Sequence, residues 1–190
     1  RCVEIPEKNI FVYGLSFEHK EVRSPLYDEW KPVNKPGFHV LLAHGGDLSC
    51  CRRDFTGLAG AGFDYVALGH SHKPHTVCRD KIAYSGSLEP LDRNDLGKHG
   101  YIQGEYEDGN VKVRLVPCAN RSYQNLVLNV DRDTTQYKLE EMLRSEVMRR
   151  GGRNIYRLIL KGRVSPDNVL LTERLHGLGN IVEIMDESRP

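Results

Sequence analysis

The sequence predicts an α/β protein built in two parts that divide near residue 118. Three observations carry that expectation. Short apolar runs bounded by Pro, Gly and Asn recur through residues 1–117, as buried strands should. A β-α-β-α-β order follows over 118–190, enough to form a small α+β layer of its own. With 190 residues, 39% hydrophobic and 28% charged, the chain has the length and composition of an ordinary globular protein of one or two cores.

Taken in order, "NIFVYGLSF" (9–17) and "FHVLLAHG" (38–45) read as buried strands, and the charged, proline-bearing stretch between them as mostly loop. "CRRDFTGLAGAG" (51–62) predicts a helix of two or three turns ended by Gly60 or Gly62. "FDYVALGH" (63–70) is a third buried strand and "KIAYSGS" (81–87) a fourth. In "GYIQGEYEDGNVKVRLVP" (100–117), strand-forming residues flank Asp108-Gly109, a dipeptide that favours tight hairpin turns. Beyond Pro117, "SYQNLVLNV" (122–130) predicts a strand. "TTQYKLEEMLRSEVMRR" (134–150) places Tyr137, Leu139, Met142, Leu143 and Val147 near helical spacing, and Gly151-Gly152 stops that helix. "NIYRLILKG" (154–162) alternates like a half-buried strand, Ser165-Pro166 opens a further helix, and "NIVEI" is the last strand.

The totals exclude some classes and leave others open. No apolar run approaches the roughly 20 residues that span a bilayer, so no membrane segment is expected. The net charge of +1 argues neither for nor against nucleic acid. Cys2, Cys50, Cys51, Cys78 and Cys118 show no C-x-x-C spacing, which suggests reduced thiols and a cytoplasmic setting.

The histidines carry the chemistry. His44 ends one buried strand in "LLAHGGD"; His70 and His72 end another in "ALGHSH". In layered α/β folds, ligands gather beyond the carboxyl ends of such strands. Neutral imidazole is the commonest metal-binding side chain, so His44, His70 and His72 are candidate ligands. Gly45 and Gly69 suit backbone that passes close to a site without Cβ bulk. His75 reads as an outer or solvent-facing residue, and His19, His39, His99 and His176 as ordinary. Three histidines suffice for one zinc ion, whereas Mn²⁺ prefers carboxylates as well. Asp47 and Asp64 are near in sequence but end no buried strand, so spacing alone does not complete a two-metal site.

On "VYGLSF", "HVLLAHGG", "FDYVALGHSHKPH", "IAYSGSLEPL" and "KHGYI", in this order over residues 9–117, the chain resembles the calcineurin-like metallophosphoesterases, and among them the SbcD-type nucleases of DNA break repair. The resemblance implies the C-terminal portion of a two-sheet metallophosphoesterase sandwich over 1–117, then a small α+β capping, DNA-binding domain over 118–190. It implies that His44, His70 and His72 are ligands of a dinuclear, typically Mn²⁺, site. Such sites clamp a phosphodiester between two ions and lower the pKa of bound water. It implies DNA as substrate and an SbcC/Rad50-like ATPase as partner. The family's D-x-H and G-N-H-[DE] motifs do not occur here, and "GGD" at 45–47 is the wrong context for its G-D, coming directly after His44 rather than well before it. The chain is therefore expected to be part of such a nuclease and inactive alone, with open strand edges that favour a homodimer.

Contacts to phosphate or DNA are expected from Lys73, His75 and Ser87 and from a basic helix end containing Arg149, Arg150 and Arg153. Residues 118–190 hold 12 Lys and Arg against 10 Asp and Glu, a net charge of +2. Arg144 and Arg157 join the cluster, and Glu146 is the one acid within it in sequence. The same pattern suits a solvated helix end whose cations complement the macrodipole. Two alternative functions stand beside the nuclease: a non-catalytic DNA- or partner-binding module, and a metallophosphoesterase acting on another phosphoester.

Overall fold

The computed structural model describes residues 1–16, 27, 30–46, 55–167 and 170–189. The chain divides into two compact units, Arg1–Leu88 with His99–Cys118, and Glu89–Lys98 with Ala119–Pro190. The short stretch after Leu88 thus groups with the second unit.

In the first unit, six strands among the described residues form one sheet. They are β1 (Cys2–Ile5), β2 (Ile10–Gly14), β3 (Phe38–His44), β4 (Tyr65–Gly69), β5 (His75–Cys78) and β6 (Ile82–Tyr84), in the order β1-β2-β3-β4-β6-β5. Neighbours from β2 through β6 in the centre pair in parallel, while β1 and β5 close the edges antiparallel. Parallel strands need cover on both faces, which is why their sequences are continuous apolar runs. Phe11 and Tyr13, Leu41 and Ala43, Val66 and Leu68, Ile82 and Tyr84 alternate onto one face. There they pack with Phe55, Leu58 and Phe63.

The opposite face carries Phe38, Tyr65, Ala67 and Ala83, and meets a hairpin of β7 (Gly100–Glu107) and β8 (Asn110–Pro117). The rings of Phe38 and Tyr106 lie 4.6 Å apart, beside a groove of about 330 Å³. The hairpin turns as the sequence predicts: Asp108 and Gly109 hold φ of 50° and 78°, the pair of positive values that matches strand twist. The helix expected over 51–62 is instead a short 3-10 helix at Phe55–Gly60, with residues 51–54 outside the described set. Gly57, Gly60 and Gly62 give an α-helix there little support.

The second unit contains β9 (Tyr123–Val130), α1 (Gln136–Arg150), β10 (Ile155–Gly162) and β11 (Ile181–Asp186), the strands all parallel in the order β11-β10-β9. Each parallel pair requires a crossover. One is α1; the other contains a 3-10 helix at Thr172–Leu178. The expected opening of that second helix at Ser165-Pro166 is not what forms, since Pro166 and Asp167 lie in a turn. Leu126, Leu128, Tyr156, Leu158 and Leu160 meet Leu139, Leu143 and Val147 of the helix in one core. Tyr137, grouped with the apolar stripe in sequence, is 75% exposed. It sits two residues before Leu139, about 200° around the helix from the buried stripe. The side chain of Thr135 caps the start by accepting from the Lys138 N–H, and Gly151 ends the helix at φ 107°. No helix among the described residues is long and apolar enough to cross a membrane.

Candidate metal centre

β3 and β4 run parallel and end side by side, with His44 in register with Gly69. His44 is the last residue of β3, and His70 follows β4 directly. Their imidazole rings meet edge to face, with centroids 5.3 Å apart and planes at 82°. Gly69 makes the room: a Cβ built there would lie 3.0 Å from His44 Nδ1. Behind them, a Cβ on Gly46 would lie 3.6 Å from His70 Cδ2 and 2.7 Å from the Tyr84 hydroxyl. The two turns are tied where Gly45 N–H donates to Gly69 O at 3.3 Å. His70 holds a φ of 104°, a region that costs a residue with a Cβ about 1–3 kcal/mol.

The electrostatics favour ligation. His44 stays accessible to solvent, yet partial desolvation of its ring, and then the adjoining His70, hold its pKa below the ordinary histidine value. The neutral ring that results has a nitrogen lone pair to offer. Imidazole donors in a cradle that a Cβ at position 69 or 46 would fill fit a divalent cation, which His44 and His70 would hold.

The remaining sequence candidates fall around this pair. His72 is exposed, and its carbonyl accepts from Ser87 N–H at 2.9 Å and from the Ser87 hydroxyl at 3.3 Å. The Ser87 hydroxyl also lies 3.1 Å from Nδ1 of the buried His99. The Lys73 carbonyl accepts from the Ser71 hydroxyl at 3.0 Å and lies 3.2 Å from His75 Nδ1, while the Lys73 residue is exposed. His75 stacks on Tyr84, with centroids 4.4 Å apart and planes at 22°. Asp64 lies at the amino end of β4, the end opposite His70, and accepts from His39 N–H at 2.7 Å; Asp47 is outside the described residues. His39 is a core residue stacked on Phe11 and bonded to Tyr13 at 3.0 Å, and His176 Nδ1 meets Ile181 O at 2.9 Å. Tyr84, which the sequence reading passed over, touches both histidine-bearing segments; its one sequence signal is a polar-tipped aromatic closing a buried strand.

At the basic helix end, Glu146 takes two partners. Arg149 donates to it twice, at 2.7 and 3.1 Å, and Arg150 once at 2.9 Å. Together they hold its carboxyl down at about 2, Arg149 contributing most. Arg157 is bonded at 2.7 Å to Glu183, an acid that joins the cluster from β11 and is invisible in the local sequence. Arg153 is exposed.

Neighbouring parallel strands thus deliver two histidines to the carboxyl end of the sheet. Comparison with known proteins finds a distant likeness to a metallophosphoesterase. Over 162 residues, 80% of its length, the chain is 21% identical to the uncharacterized metallophosphoesterase YhaO of Bacillus subtilis (strain 168), and the match spans 40% of that protein. No family model matches the sequence.

Proposed function

We propose that the chain contributes the histidine side of a Mn²⁺ centre in a DNA phosphodiesterase of SbcD type, with His44, His70 and His72 as ligands. The observation that supports this most is the meeting of His44 and His70 at the ends of neighbouring parallel strands. When bound, the metal supplies Lewis acidity toward a phosphoryl oxygen and acidifies water. The residues of the chain hold and orient: Gly69 leaves space for the His44 ring, and the strained turn at His70 aims a second ring at it. Exposed Lys73 offers a cation to phosphate, and Arg153 offers one to the DNA backbone. An SbcC/Rad50-like ATPase partner and a cytoplasmic setting belong to the same reading. The engagement of Arg149 and Arg150 by Glu146 favours, as a second reading, a phosphoester other than DNA.

Titration of the 190-residue chain with Mn²⁺ tests the metal reading. Binding is expected, weakened in His44→Ala and His70→Ala; absence of binding in the parent chain would sink it. With end-labelled linear duplex DNA and Mn²⁺, no cleavage is expected, because the sequence holds no D-x-H or G-N-H motif. Cleavage that disappears in His72→Ala would show instead that the three histidines suffice.

A further inference from the structure

We infer that Tyr84 is the positioning residue of the histidine site, its hydroxyl setting where the turn after His44 leaves the sheet. The inference rests on the metal-centre reading above and adds to it a residue outside the ligand set.

Tyr84 closes β6 in register with Leu68 of β4, so its side chain must reach past β4 to touch the end of β3. It does so with its hydroxyl, which donates to Gly45 O at 2.8 Å. Gly45 directly follows His44, and its N–H is tied to Gly69, the residue before His70. Gly45 is therefore held from both sides, by β4 through its N–H and by Tyr84 through its carbonyl. The ring of Tyr84 stacks on His75, and so touches the segment that also carries His72. Ser87, three residues on, holds the His72 carbonyl. The end of β6 thus braces both histidine-bearing turns.

A core role alone would not ask for the hydroxyl. Tyr84 is 5% exposed within an apolar cluster, where phenylalanine would pack equally well. A buried hydroxyl is kept where it has a partner, since leaving either group unpaired costs about 1–3 kcal/mol. Burial raises the Tyr84 pKa, so the hydroxyl remains a donor through the neutral range. Gly46 completes the fit: at φ 154°, any Cβ there would meet the Tyr84 hydroxyl at 2.7 Å.

The test compares Tyr84→Phe with Tyr13→Phe in the full chain. Tyr13 is also buried, and its hydroxyl serves His39 and Val33 near the start of β3, so its loss is a matched structural cost. Two readouts are taken: the imidazole ¹⁵N signals of His44 and His70 without metal, and the affinity for Co²⁺ followed by its visible absorption. Tyr84→Phe is expected to shift or double the His44 signals and to weaken Co²⁺ binding about 10- to 100-fold, the range for groups that orient metal ligands. Tyr13→Phe should change neither. Gly46→Ala, which displaces the same hydroxyl from the other side, should reproduce both changes. Unchanged His44 signals in Tyr84→Phe, or an equal Co²⁺ loss in Tyr13→Phe, would overturn the inference. If the parent chain binds no Co²⁺ while Tyr84→Phe still moves the His44 signals, the metal reading fails and the positioning role stands.

Discussion

At the residue scale, one missing methyl group separates stability from function. Gly69 is the last residue of β4, and within strands alanine is ordinarily the better residue by about 0.5–1 kcal/mol. Its Cβ, however, would stand 3.0 Å from His44 Nδ1. Gly69→Ala should therefore leave the melting temperature nearly unchanged and weaken Mn²⁺ binding about tenfold, the lower end of what disturbing a ligand's support costs. Calorimetric titration beside a thermal melt checks both halves. The placement of His44 and His70 at the ends of buried strands was legible in the sequence because strand ends, glycines and histidines are local signals. Tyr84 was not, because its value comes from Gly45, 39 positions away, and only tertiary folding brings the two together. Glu183 was hidden from the arginine cluster for the same reason.

Elements differ in how far local chemistry decides them. The β7–β8 hairpin was readable because Asp108 and Gly109 both accept positive φ. The edge strands β1 and β5 were not anticipated: "CVEI" and "HTVC" are short and mixed, and are strands by virtue of pairing with β2 and β6. The helix α1 was readable from its apolar spacing and its glycine stop, and its last turn makes a pH prediction. Arg149, then Arg150, lower the Glu146 carboxyl from 4.5 to about 2. A depressed carboxylate contributes stability that is complete above its unfolded value and fades as pH falls toward the folded one. Stability measured by denaturant unfolding should therefore fall as pH drops from about 4.5 to 2, and Glu146→Gln should flatten that part of the profile. Arg149 is exposed and Glu146 half-buried, so added salt should shrink the effect.

On the scale of the whole molecule, each unit has its own core. Leu143 is fully buried at the centre of the second, against Leu126 and Leu158 among others. Leu143→Ala should cost about 2–5 kcal/mol. Amide exchange should quicken in β9 and β10, whose amides depend on that core, and remain slow in β3 and β4. The retention of slow exchange around His44 would show that the histidine site draws its rigidity from the first core alone.

The backbone at His70 has a consequence for anyone who would make this protein hardier. Glycine would escape a strain of about 1–3 kcal/mol there, against an entropic penalty of about 0.5–1, leaving a net gain near 1 kcal/mol. A library screened only for survival of heat should accordingly enrich His70→Gly, and the winners should be poorer metal binders than their parent. Position 70 is a place where selection for endurance and selection for chemistry would pull a population in opposite directions.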